Sequence, residues 1–271
     1  MLEAGRDGDL GWAHDGEHLF VHLRLDAGDV TAASEEAYWR LERAVVHRGF
    51  PYWLRTWNFL EAINAGAGDT ERYRQFCVGR GHALAARSDF ERHLPAATAI
   101  GSADGGLTIA VLAGRAPGIA LENPRQVAAF RYPRQYGPRS PSFTRAMLLR
   151  GADAGAARLL VSGTASIVGH ATRHAGDVLA QLDEAATNVE ALLRHAAVGH
   201  FPEVGEPLWT AESFKLYLRH AEDAERVRPR FERRLAQGAP WVLLRGDICR
   251  EDLLIEVEGV YRWSGPGQPG Q

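Results

Sequence analysis

Two glutamates near the C-terminal end are the residues whose types and spacing most directly indicate chemistry. The segment reads Asp252-Leu-Leu-Ile-Glu-Val-Glu-Gly-Val-Tyr261. If it forms a β-strand, Glu256 and Glu258 point to one face with the apolar Leu254 and Val260. A carboxyl group on an apolar face keeps its proton to higher pH, and a neighbouring carboxylate adds to that effect. The pair indicates a proton donor; the alternative is a solvent-facing strand with two surface acids.

A central segment supplies cationic and phenolic groups. It reads Phe130-Arg-Tyr-Pro-Arg-Gln-Tyr-Gly-Pro-Arg-Ser-Pro-Ser-Phe-Thr-Arg145. Because its three prolines and its glycine oppose regular structure, we expect a loop that holds guanidinium and phenol groups rigidly. Guanidinium groups suit carboxylate ligands, so the segment indicates binding of a small acid. The alternative is a surface crossover with solvated charges.

Composition narrows the class of protein. The 271 residues include 45% hydrophobic and 24% charged residues, which is typical of a soluble globular protein. A net charge of −3 gives no reason to expect a nucleic acid or a membrane surface as partner. No stretch has the apolar length of a membrane span, and no signal peptide opens the chain. The two cysteines, Cys77 and Cys249, cannot form a disulfide framework, which favours a reducing cytoplasm.

The histidines do not have the spacing of a metal site. His170 and His174 are four residues apart, but Gly169 and the small residues around them argue against a rigid ligand-bearing helix. We therefore predict no metal and no cofactor.

The elements that would position the acids can be read in the C-terminal half. A helix is predicted from Asp177 to Ala197, because its apolar residues recur at spacings of 4, 3, 4, 3 and 4. A second helix is predicted over 221–237, with Pro229 causing a kink or a late start. Alternation and apolar content predict strands at 158–163, 213–219, 241–248 and 253–263. The order is β-α-β-α-β-β, and Lys215, Tyr217 and Arg219 share one strand face.

The N-terminal half repeats this order. Strands are predicted at 17–25, 52–59, 96–101 and 107–114, and helices at 31–48 and 69–86. The last two strands are expected to form a closing pair around Ala103-Asp-Gly-Gly106. The position that matches Glu256 then falls near Ala110, so only the second half keeps the acid. The predicted domains are 1–129, a connecting loop at 130–157, the catalytic half at 158–263 and a disordered tail at 264–271.

The C-terminal half resembles the RidA/YjgF family. The resemblance rests on Val161-Ser-Gly163, Ala186-Thr-Asn-Val-Glu190, the strand from Phe214 to Arg219, and Ile255-Glu-Val-Glu258. It implies an α+β, chorismate mutase-like fold, present here as two similar halves. RidA proteins often carry a carboxylate-binding arginine in the penultimate strand. Pro240-Trp-Val-Leu-Leu244 lacks it, which argues against an ordinary imine deaminase.

The chain from about Glu17 to Trp263 resembles a narrower family, the chorismatases. The motifs are Arg55-Thr-Trp-Asn-Phe59, Arg72-Tyr-Arg-Gln-Phe-Cys-Val-Gly-Arg80, Gln135-Tyr-Gly-Pro-Arg-Ser-Pro-Ser-Phe143, Ser162-Gly-Thr-Ala-Ser-Ile-Val-Gly-His170 and Phe214-Lys-Leu-Tyr-Leu-Arg-His220. Members of this family carry a longer N-terminal segment. Its absence here leads us to expect a shorter variant, a different start site or a trimmed chain, with some structure covering the first half lost.

The resemblance implies a reaction and its central residues. It implies that Glu256 protonates the enolpyruvyl methylene of chorismate and that pyruvate leaves. Glu258 is then its neighbour, which either raises the pKa of the acid or forms a structural pair. In the family, a cysteine seven residues before the acid and a glycine in the Ser-Gly-Thr-Ala-Ser segment accompany 3-hydroxybenzoate formation. Cys249 and Gly163 hold those positions, although Cys249 is alternatively an inert buried thiol. The product is therefore expected to be 3-hydroxybenzoate, possibly with 4-hydroxybenzoate.

Chorismate is a dianion and calls for two cationic groups. Among several candidates we favour Arg80, Arg145 and Arg219, each with the alternative of a structural or surface role. Further hydrogen bonds to the ring carboxylate or hydroxyl are expected from Tyr132, Tyr136 and Ser162, which packing or turn formation would explain equally well.

Three alternatives remain open from the sequence. One is a hydrolytic chorismatase that yields a trans-dihydroxycyclohexadiene carboxylate. Another is a RidA-type imine deaminase, and the third is a non-catalytic binder of small carboxylates. The chain is expected to be a monomer or a trimer, because RidA relatives are trimers with sites between subunits, whereas a duplicated chain can supply part of that interface internally.

Overall fold

The computed structural model describes residues 2–85, 90–151, 156–202 and 209–264. The chain folds into two six-stranded sheets, each with helices packed against one face, and a short two-stranded ribbon. The predicted tail lies outside the described residues beyond Ser264. Within the described ranges, no helix combines the length and apolarity that a membrane span requires.

The first half contains one sheet and two helices. Its elements are β1 (Glu3–Asp7), β2 (Leu10–His14), β3 (His18–Leu25), α1 (Val30–His47), β4 (Tyr52–Glu61), α2 (Arg72–Ala85), β5 (Ala96–Ser102) and β6 (Leu107–Gly114). The helix α1 begins where the Asp29 side chain accepts a hydrogen bond from the Ala32 amide, which satisfies one free donor of the first turn. Its buried face, including Leu41 and Val45, packs with Val21 and Val111 of the sheet.

The second half contains the other sheet. Its elements are β7 (Ile119–Leu121), β8 (Ala146–Arg150), β9 (Ala156–Ala165), β10 (Ile167–Val168), β11 (Ala171–Thr172), α3 (Val178–His200), β12 (Trp209–Leu218), α4 (Ala224–Phe231), β13 (Trp241–Arg245) and β14 (Ile255–Ser264). Asp177 caps α3 as the sequence predicts, since its carboxylate accepts from the amides of Leu179 and Ala180. Pro229 lies inside α4, and a π-helical turn at Glu232–Ala236 follows it.

The two halves share one topology. The first sheet contains the order β2-β3-β6-β4-β5, and the second contains β8-β9-β14-β12-β13. In each half the outermost of these pairs, β4 with β5 and β12 with β13, is parallel, while the others are antiparallel. The predicted α+β fold with two similar halves is confirmed. Ala110 lies on β6, which is the topological counterpart of the strand that carries Glu256.

Some predicted elements differ from the structure. The strands expected to close the first half as a pair are not neighbours, because β4 lies between β5 and β6. In the second half, β12 likewise lies between β13 and β14. The predicted connecting loop at 130–157 contains the strand Ala146–Arg150, whose residues pair with β9. The β1–β2 hairpin and the short β7 were not predicted, since β1 contains three charged residues, β2 has only five residues and β7 only three.

The halves meet along β5 and β9. The Ser162 hydroxyl donates to the Thr144 carbonyl at 2.6 Å and accepts from the Ala97 amide at 2.9 Å. A second connection joins the Gly101 amide to the Asp247 carbonyl at 2.7 Å. These polar contacts align the inner surface of β5 with the faces of β9 and β14, and the candidate site lies at this junction.

Candidate active site

A cavity of about 780 Å³ opens between the two halves. Residues of α2 and β5 form one wall, and residues of β9, β14 and the 249–252 turn form the opposite wall. The segment at 130–145 closes a third side with aromatic and arginine side chains. Seven of the residues predicted for the site line this cavity: Arg80, Tyr132, Tyr136, Arg145, Gly163, Cys249 and Glu256.

Glu256 is a buried acid whose carboxyl group faces the cavity. Its residue is 4% exposed, and no hydrogen bond to its side chain exists among the described residues. Burial raises the pKa of Glu256 to about 8, the negative charge of Glu258 adds to the rise, and Arg55 and Arg145 oppose it. The carboxyl group is therefore largely protonated at neutral pH and can donate a proton to a bound molecule.

Glu258 lies on the same face but is fully partnered. Its Oε2 receives hydrogen bonds from Arg55 Nη2 at 2.8 Å, Thr98 Oγ1 at 2.7 Å and Tyr217 OH at 3.3 Å. Its Oε1 is bound by Trp57 Nε1 at 2.9 Å and Lys215 Nζ at 2.8 Å. Burial alone would raise the pKa of Glu258, but the positive charges of Arg55 and Lys215 outweigh it and hold the pKa below its usual value.

Gly163 makes room for the Glu256 carboxyl group. A methyl group added at Gly163 would overlap Glu256 Oε1 and lie 2.7 Å from its Cδ. The same position is fixed from the other side, because the Gly163 amide donates to Thr98 Oγ1 at 3.1 Å. The absence of a side chain at Gly163 therefore leaves the space that the Glu256 carboxyl group occupies.

Cys249 supplies a neutral thiol at the cavity wall. Burial raises its pKa to about 12, and the charge of Glu256, which lines the same cavity, contributes to that rise. A thiol with this pKa stays protonated at neutral pH. It therefore acts as a small, weakly polar surface and not as a thiolate nucleophile.

Two buried guanidinium groups in the cavity form no ion pair with a carboxylate among the described residues. Arg80 is 1% exposed, lies over the Phe76 ring at 4.9 Å, and has a buried Nε without a hydrogen-bond acceptor. Arg145 is 5% exposed, donates to the Val127 carbonyl at 3.0 Å and Tyr132 OH at 2.8 Å, and also has an unpartnered Nε. Such cations are costly to bury alone, so the pair favours an anionic ligand.

Arg250 is a third cation of the cavity that the sequence did not single out. Its guanidinium lies over the Tyr136 ring at 4.0 Å and the Tyr132 ring at 5.2 Å. It donates to the His170 carbonyl at 2.9 Å and has a buried Nη2 without a partner. Arg250 stands in a charged turn, Arg250-Glu-Asp252, so nothing in its local pattern separates it from a surface arginine.

The structure does not bring Arg219 and Ser162 to the cavity surface. Arg219 donates to the carbonyls of Leu253, Ile248 and Arg250 and pairs with Asp247, so its guanidinium holds the 247–253 segment in place. Ser162 is fully buried and connects the two sheets. Both residues stabilise segments that carry cavity residues without lining the cavity themselves.

Arg55 and Thr98 are site residues that sequence reasoning missed. Both come from the first half, on β4 and β5, and both contact Glu258 of the second half. Arg55 was included only as the first residue of a family-like motif. Its partner lies more than 200 positions away in the sequence, and no local pattern indicates such a contact.

The arrangement fits proton transfer to a small dianion. It combines a protonated carboxyl group, a neutral thiol and three guanidinium groups around one cavity. In the part of the chain that the structure describes, no group of three or more His, Cys, Asp and Glu side chains is placed to hold a metal ion. The chemistry available from these residues is acid catalysis on a carboxylate-bearing molecule.

Comparisons with a family model, with two curated proteins and with a solved structure agree. The family model "Chorismatase FkbO/Hyg5-like, N-terminal" matches residues 1–113. A 3-hydroxybenzoate synthase of Streptomyces hygroscopicus is 40% identical over 262 residues, covering 94% of this chain and 76% of that protein. A chorismatase of Streptomyces rapamycinicus is 40% identical over 262 residues, covering 95% and 78%. A crystal structure of a chorismatase at 1.08 Å resolution aligns with a TM-score of 0.87 and 38% identity, covering 95% of this chain and 78% of that one.

Proposed function

Because the chain belongs to the chorismatase family, we propose that it converts chorismate into pyruvate and 3-hydroxybenzoate, with Glu256 as the proton donor. The observation that carries this proposal is the Glu256 carboxyl group, which faces the cavity beside Gly163 with its pKa raised to about 8. An acid with this pKa combines a protonated form at neutral pH with enough acidity to protonate an enol ether.

The reaction starts with a proton transfer to carbon. Glu256 protonates the enolpyruvyl methylene, which becomes the methyl group of pyruvate. The electron pair of the ring C–O bond then moves to the ether oxygen, which becomes the keto oxygen of pyruvate. The developing negative charge on Glu256 is stabilised by Arg55 and Arg145, the two cations that favour its ionised form.

The second step decides the product. The neighbouring ring hydroxyl attacks the carbon from which pyruvate departs, and Glu256, now ionised, accepts the hydroxyl proton. In the resulting arene-oxide-like species, the bond between the oxygen and its original ring carbon breaks. The carbon that keeps the oxygen loses its proton, the oxygen gains one, and 3-hydroxybenzoate forms, so that chorismate is divided into two products without addition of water. Gly163 and the neutral thiol of Cys249 leave a small and weakly polar wall there, which favours internal attack over attack by water.

The two carboxylates of chorismate require at least two cations. Arg80 and Arg145 are buried and without carboxylate partners in the described structure, and Arg250 presents an unpartnered Nη2. We assign these three arginines to the carboxylates, and Tyr132 and Tyr136 to the positioning of Arg145 and Arg250. Arg250→Met is expected to raise KM for chorismate about tenfold or more, as for loss of a charge-assisted contact.

Incubation of the protein with chorismate and chromatography of the products tests the proposal. Wild type is expected to release pyruvate and 3-hydroxybenzoate in equal amounts, and Glu256→Gln to lose about 100-fold or more of turnover. Glu251→Gln is the matched control, because Glu251 also lines the cavity but is exposed. Near-normal turnover by Glu256→Gln would remove Glu256 as the acid.

Other products of the same assay identify the alternatives. A dihydroxycyclohexadiene carboxylate would show that water attacks, as in a hydrolytic chorismatase. Ammonia release from 2-aminoacrylate without chorismate turnover would indicate a RidA-type imine deaminase. Binding of chorismate by calorimetry without turnover would indicate a binding protein.

The cellular setting is proposed to be the cytoplasm. Cys77 and Cys249 are both free thiols, and Cys77 is buried. A chain whose only cysteines are unpaired is typical of a reducing compartment, where biosynthetic enzymes that use small metabolites act. Fractionation of the producing cells with an antibody against the protein would test this assignment.

A further inference from the structure

Lys215 contacts Glu258 from outside the cavity. Its Nζ lies 2.8 Å from Glu258 Oε1 and 4.8 Å from the centre of the Trp57 ring. The Lys215 side chain is 38% exposed, whereas that of Glu258 is 8% exposed. Lys215 is not among the residues that line the cavity, and it is the only lysine in the sequence.

The strand register fixes this relationship. On β12, Lys215 is directly opposite Glu258, and Tyr217 is directly opposite Glu256. The two acids are two residues apart on one strand face, at a separation of roughly 7 Å between their Cα atoms. Lys215 therefore compensates the carboxylate whose charge acts on the cavity acid, without contacting the cavity.

We propose that Lys215 is a positioning residue that sets, through Glu258, how strongly the Glu256 proton is held during the reaction. This inference rests on the proposed function, because it assigns Lys215 a part in controlling that acid. The Glu258 charge is compensated by two cations that differ in location. Arg55 is buried between the halves, and Lys215 is half exposed at the outer surface.

The charged and titratable groups around the two acids come from every element packed against them. They are Arg55 on β4, Tyr73 and Arg80 on α2, Arg145 before β8, Lys215 and Tyr217 on β12, and Cys249 and Arg250 before β14. Among these, Lys215 is the cation that contacts Glu258 without lining the cavity or being buried. Its removal changes the charge near Glu256 while leaving the cavity wall in place.

The two ends of this ion pair have opposite effects on Glu256. Lys215→Met leaves the negative charge of Glu258 less compensated, so Glu256 holds its proton more strongly. Glu258→Gln removes the negative charge and leaves Arg55 and Lys215 uncompensated, so Glu256 releases its proton at lower pH. A purely structural ion pair would respond in the same way to loss of either partner.

The pH dependence of kcat/KM for chorismate distinguishes these cases. The alkaline limb is expected to move up by about 0.5 to 1 pH unit in Lys215→Met, as for loss of a partly screened unit charge, and to move down in Glu258→Gln. Lys215→Arg keeps the positive charge and is expected to have the wild-type pH profile. Arg158→Met is the matched control, because Arg158 is an exposed cation on β9 with its own carboxylate partner, Glu212.

A titration that needs no substrate separates this inference from the proposed function. The protein labelled with 13C at glutamate carboxyl carbons is titrated by NMR, with Glu256→Gln identifying the Glu256 signal. An upward shift of the Glu256 midpoint in Lys215→Met supports the inference even if chorismate is not consumed. An unchanged or lowered midpoint of the Glu256 titration in Lys215→Met overturns the inference, even if chorismate turnover is confirmed. This test does not depend on whether Glu258→Gln folds.

Discussion

Two carboxyl groups on one strand face differ in pKa because their partners differ. Glu258 is bound by two cations and three neutral donors, whereas the side chain of Glu256 has no hydrogen bond within the described structure. The ionised Glu258 in turn makes a second charge unfavourable at Glu256. One acid therefore serves as the fixed charge and the other as the group that exchanges a proton.

Gly163→Ala is expected to redirect the reaction. The new methyl group would overlap the Glu256 carboxyl group, so the acid must rotate away from its position. We expect turnover to fall by up to about 100-fold, as for displacement of a catalytic group by about 1 Å. We also expect the dihydroxycyclohexadiene carboxylate to form a larger share of the product. Chromatographic quantification of the products after complete conversion measures both effects.

The control for this substitution is Gly199→Ala. A methyl group at Gly199 contacts nothing within 4 Å, so neither turnover nor product composition should change. An unchanged product ratio in Gly163→Ala would contradict the importance of this contact.

The raised pKa of Glu256 predicts a specific pH dependence of stability. Between pH 4.5 and about 8 the folded protein keeps the Glu256 proton, while the unfolded chain releases it. The folded state then binds more protons, so the free energy of unfolding decreases as pH rises through this window. Glu256→Gln has no carboxyl group at this position and does not lose stability in this way. The melting temperature of Glu256→Gln minus that of wild type, measured by calorimetry, should therefore increase steadily from pH 5 to pH 8. A constant difference across that range would be inconsistent with a raised pKa.

At the level of elements, periodicity predicts most of the structure but not the strand neighbours. The helix α3 was predicted because its apolar residues follow one helical face. Asp177, where the predicted helix begins, is its N-cap. Pairing was predicted between consecutive strands, such as those now labelled β5 and β6. The structure inserts β4 between them, because a parallel partner for β5 comes only from a strand across a helical crossover.

The strand β4 also carries the buried ion pair that joins the halves. Arg55→Met would leave Glu258 buried with Lys215 as its remaining cation, and we expect a loss of about 3 to 5 kcal/mol in the free energy of unfolding. Arg134→Met removes an exposed pair with Asp69 and should cost no more than about 1 kcal/mol. Urea denaturation of both variants measures the two costs, and equal losses would refute the structural importance of Arg55.

For the whole molecule, the position of the cavity depends on how the halves meet. The sequence identifies Glu256, Arg80 and Arg145 as candidates, and all three line the cavity. It does not identify Arg250 or Arg55, whose roles arise from contacts between distant segments. It also places Arg219 at the ligand, whereas the guanidinium is occupied by backbone carbonyls of its own half and by the Asn64 side chain of the other half. Hydrophobic periodicity does not encode such polar contacts between halves.

A single chain supplies every wall of the cavity described above, which predicts activity as a monomer. Specific activity is expected to stay constant on dilution through a range in which light scattering shows the mass of one chain, 29.7 kDa. Loss of activity in step with dissociation of an oligomer would show instead that a neighbouring chain completes the site.

The shared topology of the halves also restricts how the sequence can diverge. One half carries the acid, and the other carries Arg55 and Thr98, which hold the neighbouring charge. A substitution on β4 therefore changes the proton affinity of Glu256, although β4 itself contributes no reacting group. Natural variation at such positions should be accompanied by compensating variation on β14, so the two halves evolve as one inherited block instead of as exchangeable modules.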